Sequence, residues 1–175
     1  MSNYKADLHK IKAFAFDVDG VFTDGSVLTY IDGDLLRTYN AKDGYAVRYA
    51  VEQGYPIAII TGGASETIKK RFNQLMVTDI YLCSRHKLPD FEDFCYKYGL
   101  SPEEVLFMGD DIPDIEIMQK CGVSACPSDA VPEVKSTAAC ISSFKGGAGC
   151  VRDIIEQVLK IQGKWQNTNQ RIAST

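Results

Sequence analysis

Short apolar runs rich in β-branched and aromatic residues alternate along the chain with segments whose apolar residues recur at helical spacing. No other feature constrains the fold as much. Residues 13–16, 56–60, 79–82, 105–108 and 123–125 form the runs, and 44–53, 65–75, 88–98, 112–120 and 149–161 form the helical segments. Strands separated by helices pair in parallel, because each crossover carries a helix over a sheet face. The pattern predicts an α/β fold, a Rossmann-like doubly wound parallel sheet. Ser101-Pro102-Glu103-Glu104 reads as a capping-box turn ahead of the fourth strand. One segment departs from the alternation: 26–31 and 35–40 flank Asp32-Gly33, a dipeptide suited to a tight reversal with positive φ. A β-hairpin inserted after the first strand, at about 26–40, is expected.

The remaining bounds are quickly drawn. A chain of 175 residues, 45% apolar, suits one domain with a real core, and no repeat or low-complexity linker divides it. Residues 1–163 are expected to form that domain and 164–175 a polar tail with Trp165 as its apolar anchor. A formal net charge of −4, without runs of Lys or Arg, speaks against a nucleic-acid partner. The start of the chain carries scattered charges, and no apolar stretch reaches membrane-spanning length, so a cytoplasmic protein without a membrane partner is expected. Six cysteines without a CxxC pair, beside only His9 and His86, read as small, mostly buried thiols in a reducing compartment.

Strand one runs into Asp17-Val18-Asp19-Gly20, and the fourth into Gly109-Asp110-Asp111-Ile112-Pro113-Asp114. Ligands of open α/β sheets bind outside the carboxyl ends of the strands, so both acidic groups should reach one crevice. Converging carboxylates repel each other, and oxygen donors without His or Cys favour a hard cation, Mg²⁺ above all. Two further strand ends add Thr61-Gly62-Gly63, with a hydroxyl and backbone N–H groups for phosphate oxygens, and Lys87 for charge neutralisation. Taken singly, each piece has a plainer explanation. Asp-x-Asp-Gly serves turns, Thr61-Gly62-Gly63 feeds a helix capped by Ser65, Lys87 suits a solvated surface, and the second acidic group suits a helix N-terminus. Their order, each after an expected strand, favours a phosphate site on magnesium.

Together these residues resemble the haloacid dehalogenase superfamily, through DVDGVFTDG, ITG, a lone Lys and GDDIPD. RTYNAKDGYAVR, the absence of a cap insertion and KGGAGCVRD followed by QGK resemble its 3-deoxy-D-manno-octulosonate (KDO) 8-phosphate phosphatases. The resemblance implies catalytic roles for Asp17, Asp19, Thr61 and Lys87, with Asp17 the nucleophile that becomes an aspartyl-phosphate and Asp19 the general acid and base. It implies Mg²⁺ held by Asp17, the backbone carbonyl of Asp19 and Asp110, with Asp111 orienting Lys87 and Asp114 supporting the ligands. Substrate contacts are implied for Asp19, Gly62 and Lys87, and for Asn40, Ala41, Lys42, Asp43, Gly44, Arg48 and Arg71. A homotetramer paired through the hairpins, acting in lipopolysaccharide precursor synthesis, is implied as well. Gly63 stands where members often carry Arg and where relatives acting on nine-carbon sugar acids carry Glu, and Ala148 replaces an Arg common in the GGxG segment. A nine-carbon sugar-acid 9-phosphate or a broad range of phosphosugars is the alternative substrate. A phosphoacceptor receiver domain shares the residue types but not their order, and a regulatory sugar-phosphate-binding subunit would not need all four motifs intact.

Overall fold

Ala13–Phe16 is an unbroken apolar run with every residue buried, which suits only a strand covered on both faces. The computed structural model describes residues 4–31, 33 and 35–165, so Asp32 of the expected turn and residues 166–175 of the expected tail lie outside it. In chain order the elements are α1 (Tyr4–Asp7), β1 (Ala13–Phe16), β2 (Leu28–Thr29), β3 (Leu35–Leu36), α2 (Ala41–Glu52), β4 (Ile57–Ile60), α3 (Glu66–Gln74), β5 (Asp79–Tyr81), α4 (Lys87–Tyr98), β6 (Val105–Met108), α5 (Ile115–Met118), β7 (Val123–Cys126), α6 (Pro132–Thr137), β8 (Cys140–Ile141) and α7 (Cys150–Ile161). Six strands form one sheet in the order β5-β4-β1-β6-β7-β8, and all its pairings are parallel. The expected doubly wound α/β fold is what the chain adopts.

Alternation along the strands splits the interior in two. Phe14, Phe16, Ile57, Ile59, Leu106 and Met108 face one core, which buried residues of α2, α3 and α7 complete. Ala13, Ala15, Ala58, Ile60, Val105 and Phe107 face the other, beneath α4, α5 and α6. Leaving β1, the chain runs to β4 on one side and later to β6 on the other, so the carboxyl end of β1 is the topological switch point where a ligand crevice opens.

Several boundaries differ from the expected ones for local reasons. Helix α2 starts three residues early because the Asn40 side chain accepts the Lys42 N–H at 2.9 Å and caps it. The expected helix 112–120 splits into a 3₁₀ turn, Ile112–Asp114, followed by α5. Pro113 sits in that first turn, and the Asp111 carboxylate caps it by accepting the Ile112 N–H at 2.8 Å. Ser101 N–H donates to the Glu104 carboxylate at 3.1 Å, the expected capping box. The hairpin is present but shorter than 26–40, with Leu28 opposite Leu36 and Thr29 opposite Leu35 as its antiparallel register. Gly33, at φ +87°, donates to the Tyr30 carbonyl at 2.9 Å and closes the reversal. Among the described residues no cap domain intervenes between β1 and β4, only this hairpin and α2.

Candidate active site

The loop after β1 folds back because Val18 O accepts the N–H groups of Val21 and Phe22, at 3.2 and 2.9 Å, while the buried Thr23 hydroxyl accepts those of Gly20 and Gly25. At Gly20, φ +79°, a Cβ would lie 1.9 Å from Asp110 Oδ2. Only glycine lets the loops after β1 and β6 touch, and their touching brings the two acidic groups into one cluster. Ligand oxygens of Asp17, Asp110 and Asp114 all fall within 4.8 Å of one another.

Lys87, the first residue of α4 and itself buried, closes the cluster, with Nζ 2.6 Å from Asp114 Oδ1 and 3.0 Å from Asp17 Oδ2. The other Asp114 oxygen accepts the N–H groups of Asp110 and Asp111 at 3.0 and 3.3 Å, so Asp114 is committed to holding its neighbours. Asp111 was expected to orient Lys87. The structure gives that task to Asp114, because the Asp111 carboxylate is turned to capping the next helical turn.

Burial and crowding by neighbouring carboxylates raise the proton affinity of Asp17 and Asp110. Burial, then the charge of Asp114, raises the Asp17 pKa to about 7 against the pull of Lys87. Burial, then Asp17 and Asp114, raises Asp110 to about 8. Burial works to lower the Lys87 pKa, yet the charges of Asp17 and Asp114 outweigh it and raise it. Asp110 Oδ1 is buried without a protein partner. An all-oxygen cluster with one orphaned carboxylate oxygen fits a small hard dication.

Thr61, buried at the end of β4, accepts the Gly63 N–H on its hydroxyl at 3.2 Å and lines the same open cleft of about 520 Å³ as Asp17, Asp19, Gly62, Lys87 and Asp110. The four strand-end motifs therefore meet. The expected sugar-acid contacts do not follow them. Asp43 is fully buried and accepts the Arg152 N–H at 2.8 Å, which caps α7. Gly44 is buried under Arg71, whose Nη2 lies 2.6 Å from where a Cβ would be, and Arg71 stacks 5.7 Å from the Tyr39 ring centroid. Arg48 is an exposed residue of α2 paired with Glu52 at 2.9 Å, one helical turn on. Asn40 caps α2 and donates to the Gly147 carbonyl at 3.1 Å, Ala41 is exposed, and Lys42 lines a separate cavity of about 490 Å³ beside Ala148 and Arg152. None of the seven borders the cleft.

Two arginines outside the sequence-based set reach this region. Arg85 lines the cleft, and Arg37, which follows β3, pairs with Asp19 through Nε at 2.6 Å. A Cβ at Gly63 would stand 3.3 Å from Arg37 Nη2 and 2.8 Å from Ile68 Cδ1, so the glycine at this position keeps the arginine's place clear. Arg37 opens the RTYNAKDGYAVR segment, but the resemblance assigns it no role there, and no spacing rule flags Arg85, which sits in a loop.

Comparison with known proteins agrees with this geometry. A family profile described as haloacid dehalogenase-like hydrolase matches residues 79–152. The 3-deoxy-D-manno-octulosonate 8-phosphate phosphatase of Escherichia coli K12 is 35% identical over 159 residues, which cover 91% of this chain and 85% of that protein. A crystal structure of the phosphatase of that name from Yersinia pestis superposes with a TM-score of 0.90 at 31% identity, over 93% of this chain and 88% of the other. The Moraxella catarrhalis phosphatase of the same name, solved in complex with a magnesium ion, a phosphate ion and a KDO molecule, gives a TM-score of 0.90 at 27% identity over 99% and 98% of the two chains.

Proposed function

Because the chain belongs to the haloacid dehalogenase-like hydrolases and is a phosphatase, we propose that it hydrolyses 3-deoxy-D-manno-octulosonate 8-phosphate to KDO and phosphate. The observation that carries the reading is the meeting of Asp17, Lys87, Thr61 and Asp110 in one cleft, from four different strand ends. A Moraxella relative whose structure holds magnesium, phosphate and KDO supports the choice of substrate.

Asp17 attacks phosphorus, and as the bond from phosphorus to the sugar oxygen breaks, Asp19 gives that oxygen a proton. Asp19 then takes a proton from water, whose oxygen bonds to phosphorus while the Asp17 oxygen departs as carboxylate. Lys87, held ionised between Asp17 and Asp114, and Thr61 with the N–H groups beside it balance charge on the phosphoryl oxygens. Asp17, Asp110 and the Asp19 carbonyl would hold Mg²⁺, which when bound supplies positive charge against those oxygens. Asp114 supports this set through the N–H groups of Asp110 and Asp111.

Aspartyl-phosphate chemistry benefits from shielding, and this chain has no cap of its own among the described residues. We place the cover in a homotetramer whose hairpins meet: Leu28 is 68% and Ile31 99% exposed, with Val27, Tyr30 and Leu36 beside them. Among the described residues no helix is long and apolar enough to cross a membrane, in keeping with a cytoplasmic enzyme.

Steady-state phosphate release over a panel of phosphosugars tests the reading. The eight-carbon sugar-acid phosphate should exceed a nine-carbon analogue and generic sugar phosphates by at least about tenfold in kcat/KM, and Asp17→Asn should remove at least about four orders of magnitude of kcat. Equal values across the panel would overturn the substrate, and an active Asp17→Asn enzyme the nucleophile.

A further inference from the structure

One ion pair joins the hairpin to the cleft, and the reaction above does not use it. Arg37 Nε stands 2.6 Å from Asp19 Oδ1 and Nη2 stands 2.9 Å from Oδ2, while Nη1 donates to the Leu35 carbonyl of β3 at 3.0 Å. A guanidinium fork on both oxygens fixes the plane of a carboxylate, as a point-like ammonium does not. The Arg37 side chain is 2% exposed against 35% for Asp19, so the arginine backs the carboxylate from the protein side and leaves it open toward the cleft. Each carboxylate oxygen keeps a second lone pair for a transferred proton.

We propose that Arg37 is a positioning residue that fixes Asp19 for both proton transfers and, through its brace on Leu35, makes the placement of Asp19 depend on the hairpin. The proposal rests on the assignment of Asp19 as acid and base. In the first half-reaction the Asp19 proton passes to the departing sugar oxygen, and in the second a water proton passes to Asp19. Both transfers need the same carboxylate oxygen in the same place. Gly63 belongs to this arrangement, because a side chain there would press on the guanidinium.

The test is a double-mutant cycle on kcat with the sugar-acid phosphate, using Arg37→Lys, Arg37→Gln, Asp19→Asn and their combinations. Each Arg37 variant should lose about 10- to 100-fold in kcat with KM held within about threefold, a part of what a general acid and base contributes. The burst of alcohol release should slow more for the sugar phosphate than for an aryl phosphate, whose leaving group needs no proton. In the Asp19→Asn background the same changes should cost less than about twofold more. Losses that multiply in both backgrounds, or Arg37 variants with unchanged kcat, would overturn the proposal. Thermal melts check folding, and should Arg37→Gln fail to fold, Arg37→Lys, which keeps the charge and most of the stem, carries the cycle. An Asp19→Asn enzyme with undiminished kcat would overturn the acid-base assignment and this proposal together. Turnover of aryl phosphate without turnover of the sugar-acid phosphate would overturn the substrate alone, and the cycle then runs on a simple alkyl phosphate.

Discussion

The cleft and the hairpin invert the ordinary distribution of polarity in opposite directions. In the cleft, charged groups of Asp17, Lys87 and Asp114 are buried among strand ends, while in the hairpin Leu28, Tyr30 and Ile31 stand in solvent. Burying charge costs free energy that only a paired and hydrogen-bonded geometry offsets, and exposing a large apolar surface forgoes about 25 cal/mol per Å². A chain carries such costs where something outside it completes the balance. On the function proposed above, a cation and a phosphate would complete the cleft, and other copies of the chain would cover the hairpin.

If that contrast holds, changes in the cleft act on chemistry and changes in the hairpin act on assembly. After loss of the Asp17 carboxylate itself, the largest expected effect is that of Asp110→Ala, which should lower kcat by about three orders of magnitude, roughly 4 kcal/mol of barrier, and weaken the response to added Mg²⁺ while leaving circular dichroism intact. Removing the metal from the unmodified enzyme comes next. Folding raises the pKa of both Asp17 and Asp110 from 3.8, to about 7 and about 8 respectively, so their protonated forms favour the folded state. In EDTA the contribution of these two groups should be full below about pH 4 and be lost as pH rises through 7 to 8. Melting scans should show Mg²⁺ stabilising by several degrees at pH 8 and hardly at pH 5. A stabilisation of the same size at both pH values would break the link between acidic crowding and the ion. The smallest effect on the single chain is expected from Leu28→Ser combined with Ile31→Ser. These side chains bury little within the described chain, so intrinsic stability should move by less than about 0.5 kcal/mol, while light scattering shows a smaller particle. An unchanged particle would place the contacts between copies elsewhere.

The sequence spoke clearly where one physical requirement acts at a time. Strands β1 and β6 match the expected 13–16 and 105–108 at both ends, because burial on two faces leaves only apolar residues and loop residues end the run abruptly. The acid groups, Thr61 and Lys87 were legible because each follows such a strand. Elements with only a few residues, α6 and β8, went unread, since six residues and two residues hold too little periodicity to register. Arg37, Arg48 and Arg71 show the harder limit. All three are arginines on or near expected elements, and only the fold decides that one clamps Asp19, one pairs with Glu52 and one lies over Tyr39. Asp43 carries the same lesson, because its partner, the Arg152 N–H, is 109 residues away.

The loop that bears Asp17 is fastened by distant chain. Val21 O accepts the Gly147 N–H at 2.9 Å and the Cys150 thiol at 3.2 Å, the latter across 129 residues, and a Cβ on Gly146 would strike the Gly20 carbonyl at 1.9 Å. A nascent polypeptide emerging from the ribosome therefore makes the Asp17 loop early and the clasp for it late. Until α7 has been synthesised and docked, the acidic loop has only its own turn hydrogen bonds and lacks this distant fastening.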